Sequence, residues 1–259
     1  KDGSGTLILS GANTHSGSTT ISAGTLEVAS DANLGSTPGS ADVDNIIFNG
    51  GTLNTSSAFT LNSNRGITMT GAGTINTNAG TTLTYGGLIT GSGALTKSGA
   101  GTLTLSGTNT YTGATAVNAG ILSVSNAAGL GDVSGATTVA SGAGLYLNGG
   151  INVGDAISVS GSGVGGDGVI RSETGSNTLS GLITLSADSE LQADTGTNLT
   201  LDVSSGNALS GDFTLTVDAV GDVTIADAIA TSSGGLTKTG VGTLTLSGTN
   251  TYSGSTTIS

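Results

Sequence analysis

The stretch "ADSELQAD" sets Asp188 and Glu190 two residues apart, with Asp194 shortly after. On a β-strand, alternate residues share a face. The spacing therefore places the carboxylates of Asp188 and Glu190 side by side. Such a pair could serve as acid and base in a glycosidase or help to hold Ca²⁺. A second candidate is "SGVGGDGV", Ser162 to Val169. It partly matches the nonapeptide of calcium-binding β-rolls, with Asp167 at the acidic place. That roll needs adjacent turns that each supply ligands, and one copy occurs here. Polysaccharide-cleaving β-helices also use Arg, Lys or aromatic subsites, whereas this chain has 5 Lys and Arg residues and 3% aromatics. The plainer reading of the acidic stretch is a solvated face. We assign no catalytic residue, metal or cofactor, and keep Asp167, Asp188 and Glu190 as the calcium candidates.

The single histidine, His15, has no nucleophile or ligand set around it in sequence. It aligns with Tyr111 and Tyr252 in a recurring phrase. It reads as an exposed turn position that accepts a flat polar ring.

That phrase organises the chain. "KSGAGTLTLSGTNTYTG" (Lys97 to Gly113) has near-copies beginning at Lys1 and at Lys238. The first two copies run on together: "STTISAGTLEV" (Ser18 to Val28) matches "ATAVNAGILSV" (Ala114 to Val124). Lys1, Lys97 and Lys238 share one phase. An exposed pairing of each with an acid on a neighbouring coil, or a solvated lysine that discourages edge pairing, fits the pattern. The repeat starts at 1, 97 and 238 suggest one β-solenoid segment, 1–259, cut from a longer repeat protein; Ser259 falls in mid-phrase.

Leu103 and Leu105 alternate with Thr102 and Thr104, the period-two signature of a strand with one buried face. Leu7 and Leu9, and Leu244 and Leu246, repeat it. Gly accounts for 47 of 259 residues and supplies corners where φ is positive. Thr, Ser, Asn and Asp work against helix. Short strands stacked coil on coil satisfy these constraints without long open edges. We therefore expect an all-β, right-handed parallel β-helix with three short strands per coil, about 20–25 residues in each coil and ten to thirteen coils. The competing fold is an antiparallel sandwich. The "TLT" triplets at Thr82, Thr102, Thr214 and Thr243 raise an ice- or surface-binding alternative, although in sequence they are scattered.

The composition bounds the partners. The net charge is −12 and Cys is absent. So few cations argue strongly against nucleic acid as a partner, whose phosphates need Lys and Arg, and an anionic membrane surface is disfavoured. No apolar run approaches the roughly 18 residues of a membrane-spanning helix.

The phrase from Leu95 to Val124, the first 28 residues and the stretch from Leu236 to Ser259 resemble the passenger-associated transport repeat of bacterial autotransporters, also called the autotransporter-associated β-strand repeat. The resemblance implies a β-helical passenger outside the cell. We expect a structural or adhesive rod whose partners are neighbouring copies or flanking repeats, together with a cell-surface or glycan ligand. End-to-end stacking into a filament is a further expectation. A polysaccharide-acting enzyme on the same scaffold and an ice-binding solenoid remain the alternatives.

Overall fold

Alternation of Leu with Thr becomes alternation of inside with outside. In the strand Thr102–Leu105, Leu103 and Leu105 are fully buried and the two threonines are half-buried. The same logic runs through strands of mostly three to five residues, which the computed structural model describes over residues 1–259. The one helical element is a single 3₁₀ turn, Asp31–Leu34. The chain is a parallel β-solenoid, not a sandwich, and its turns number about 12. It divides into two units, Lys1–Gly135 and Ala136–Ser259.

Within Lys1–Gly135 three parallel ladders form. The first joins Thr6–Leu9, Thr25–Val28, Thr52–Thr55, Gly73–Thr77, Leu95–Ser98 and Thr115–Val117. The second joins Phe59–Leu61, Thr82–Tyr85, Thr102–Leu105 and Gly120–Val124. The third joins Thr19–Ile21, Asp42–Phe48, Arg65–Met69 and Ile89–Gly91. Leu7 pairs with Leu26, and in the second copy Leu103 pairs with Leu122. Both copies thus close a coil in the same number of residues.

Ala136–Ser259 also carries three parallel ladders. Its longest strand, Ile183–Ala193, serves two of them. Ile183 to Leu185 pair with Ile157 to Val159, and Ser189 to Ala193 pair with Leu215 to Ala219. The backbone turns the corner at Ser186–Asp188 without leaving the strand.

Aliphatic side chains stack in register inside each unit. Leu26, Leu53 and Ile75 follow one another on successive coils, each at most 1% exposed. Leu7 and Leu244 were expected to be as buried as Leu103. They keep their inward register, opposite Leu26 and Val223, but Leu7 is 44% exposed and Leu244 is half-exposed. A coil lies against only one side of each.

Glycine is required where coils touch at a corner. Gly120 has φ +65°, and a Cβ there would sit 2.3 Å from the Gly101 carbonyl oxygen and 2.4 Å from that of Gly99. Any other residue would push the coils apart.

Candidate functional site

The repeated phrase puts its polar residues to work between coils. Asn109 is 2% exposed. Its Oδ1 accepts a hydrogen bond from the Ile89 N–H of one adjacent coil at 2.9 Å, and its Nδ2 donates to the Gly129 carbonyl of the other at 2.8 Å. The other two copies each make one half of this staple. Asn13 donates to the Asn33 carbonyl at 2.7 Å, and Asn250 accepts from the Ile229 N–H at 2.9 Å. Sequence reasoning passed over this asparagine, although its recurrence in "NT" at the same place in each copy was the available signal.

Two positions were read differently from where they lie. Tyr111 is not in an exposed turn. It is fully buried, with its hydroxyl 2.7 Å from Thr115 Oγ1. Tyr252 repeats the pairing with Thr256 at 2.9 Å, and His15 Nε2 lies 3.5 Å from Thr19 Oγ1. Only His15 is exposed. Lys97 is not solvated either, and no acid faces it. It is 0% exposed and occupies the aliphatic stack between Ile75 and Val117. Its stem packs as a hydrocarbon, while Nζ donates to the carbonyls of Ser98, Gly99 and Ala119 at 2.7, 2.7 and 3.0 Å. Burial lowers its pKa to about 8. Lys1 and Lys238 bind the carbonyls of their own corners in the same way.

The two arginines hold local structure. Arg65, 0% exposed, bonds Asp31 at 2.8 Å, the carbonyls of Leu34 and Gly35, and Asn45 Oδ1. It fastens the excursion that contains the 3₁₀ turn. Burial raises the Asp31 pKa, but the hydrogen bonds from Arg65, the Asn62 N–H and Thr37, with the charge of Arg65, together outweigh it, so the carboxyl lies below its ordinary range. Arg171 grips Asp194 on the next coil through Nε and Nη2, and its guanidinium lies 5.2 Å from the centroid of the Tyr146 ring.

The calcium candidates are partly committed. Asp167 pairs with Arg171 at 3.1 Å. Asp188 Oδ1 accepts the Thr214 N–H at 2.8 Å. Asp188 and Glu190 do share a side of their strand, with the buried Ser189 between them. They border a small cleft of about 290 Å³. Burial first, then the charges of Asp218 and Asp167, raise the Glu190 pKa. No group of three or more His, Cys, Asp or Glu side chains comes together in a geometry that could hold a metal ion.

An open groove of about 590 Å³ runs along the outer face of the first ladder in Lys1–Gly135. It is lined by two ranks that advance one residue per coil. Thr6, Thr25, Thr52 and Thr74 form the first; Glu27, Asn54, Asn76 and Ser98 form the second. The second rank is internally bonded. Ser98 Oγ donates to Asn76, Asn76 to Asn54, and Asn54 to the Glu27 carboxylate at 2.9 Å. The threonine hydroxyls have no partner within the chain. Threonines scattered in sequence are thus brought into line by coil register.

The model of the passenger-associated transport repeat family matches residues 1–28, 95–124 and 236–259. Adhesin BmaC autotransporter from Brucella suis biovar 1 (strain 1330) is 44% identical over 73 residues, which is 28% of this chain and 2% of that protein. The chain therefore spans a very small part of the curated relative it matches. No solved structure matches the chain.

Proposed function

From a chain that carries three passenger-associated transport repeats, we propose that this solenoid is part of the passenger of a bacterial autotransporter. It stands outside the cell and acts as a structural and adhesive element, not as an enzyme. One observation carries the reading. The polar residues that recur in every copy — the lysine, the asparagine and the Tyr/His–Thr pair — are bonded to the chain's own corners and coils. None of them is directed at a substrate.

Two measurements test it. On intact bacteria that make the parent protein, antibody against residues 1–259 labels the surface, and external protease removes the label; label that appears only after lysis overturns the location. Beads coated with the chain are retained on cell layers more strongly than albumin-coated beads; equal retention overturns the adhesive role.

Stacking of copies end to end belongs to the same reading. Contact between unlike faces of two copies is heterologous, and where its rotation does not close it grows into a filament. Light scattering at rising concentration should show growing mass, and a constant monomer mass excludes it.

A further inference from the structure

We propose that the outer groove of the first ladder in Lys1–Gly135 binds a neutral, hydroxyl-rich polysaccharide laid across the coils. The proposal rests on the adhesive reading and names the ligand class and the face that would serve it.

The threonine rank supplies the contacts. Thr25, Thr52 and Thr74 lie half-buried on successive coils with no partner for their hydroxyls. A hydroxyl both donates and accepts, as does each hydroxyl of a sugar. Neighbouring strands are about 4.8 Å apart. That advance is close to the length of one pyranose in an extended 1,4-linked chain, so successive sugars meet successive threonines.

The second rank supplies rigidity. Asn76, Asn54 and Glu27 hold one another by hydrogen bonds across three coils. The wall is fixed before any ligand arrives, which reduces the ordering cost of binding.

Charge selects against the alternatives. The groove holds one carboxylate and no cation. All five cationic side chains of the protein are engaged by its own carbonyls or carboxylates. A sulfated or uronate polymer would find nothing to pair with. An apolar peptide would find no apolar lining. With no aromatic platform in the groove, each sugar contributes little, and affinity accumulates with length.

The test titrates the full chain with neutral hexasaccharides of β-1,4-linked glucose, mannose and N-acetylglucosamine, with their disaccharides, and with a hyaluronan hexasaccharide. Calorimetry or ligand-observed NMR gives the readout. At least one neutral hexamer should bind tenfold or more tightly than its disaccharide and than hyaluronan. The triple variant Thr25→Val, Thr52→Val, Thr74→Val should lose that binding tenfold or more. Valine suits an outward strand position, so its melting temperature should match that of the parent. A single Thr52→Val change, expected to weaken binding severalfold, covers the case in which the triple variant does not fold. Binding unchanged in the variants, absence of binding by all three neutral hexamers, or preference for hyaluronan overturns the proposal. Native-chain beads that adhere while no hexamer binds overturn the groove alone; native-chain beads that fail to adhere overturn the adhesive reading beneath it.

Discussion

Asn109 satisfies a backbone group on each of two neighbouring coils with one side chain. Truncation leaves the Ile89 N–H and the Gly129 carbonyl buried without partners. Asn109→Ala should therefore cost about 2–4 kcal/mol, since each buried orphan costs roughly 1–3 kcal/mol. Asn13→Ala, which breaks one such bond on a more exposed coil, should cost about half as much; urea denaturation of both variants measures the difference. Lys97 gives a prediction in pH. Its pKa is about 8 in the fold against an unfolded value of about 10.4. Between those values the unfolded chain binds more protons, so stability rises with pH. Relative to Lys97→Met, the parent should gain roughly 2 kcal/mol between pH 7 and 9.5, at about 1.4 kcal/mol per pH unit beyond the folded pKa. Denaturant midpoints of the two proteins across that range decide it, and parallel curves exclude a buried ammonium. This lysine was misread in sequence because charge argues for solvent, and no pattern of residue types shows a corner of carbonyls that will accept its hydrogen bonds. The asparagine was visible as a repeated letter, but its partners are set by coil register.

Strands were the legible elements. Leu–Thr alternation located Thr102–Leu105 and its inward face directly, and the inner stack follows from it. Leu103→Asp buries an unpaired charge and should cost several kcal/mol. Leu7→Asp, already 44% exposed, should cost far less. Thermal melts of the pair separate an inward position with coils on both sides from one covered on a single side. The excursion around Asp31–Leu34 was not legible, because what holds it is Arg65, more than thirty residues away in sequence. Arg65→Met leaves Asp31 without its cation and frees the carbonyls of Leu34 and Gly35. Loss of a partner in a buried pair costs about 3–5 kcal/mol. Hydrogen exchange in the variant should accelerate first across residues 31–37; exchange that rises uniformly would show that Arg65 supports the whole unit instead. The threonine ranks were hidden for a related reason. Thr25, Thr52 and Thr74 lie outside the "TLT" triplets singled out in sequence, and only the coil length brings them into line.

Across the molecule, the repeat and the coil do not share a period. In the first copy the strand Thr19–Ile21 lies on the third ladder and Thr25–Val28 on the first. Their counterparts in the second copy, Thr115–Val117 and Gly120–Val124, lie on the first and second. Within Lys1–Gly135 the second copy is thus advanced by one face. Its lysine corner and asparagine staple reinforce a different edge of the coil. A sequence alignment gives the spacing of 96 residues, but only the ladders show that this is not a whole number of turns. Register also has a consequence for how such a chain comes into being. Nearly every backbone bond between coils joins residues about one lap apart, so no distant part of the polypeptide must be present for a lap to settle. A lap can therefore settle as soon as its own residues and those of the lap before it are available, whatever follows.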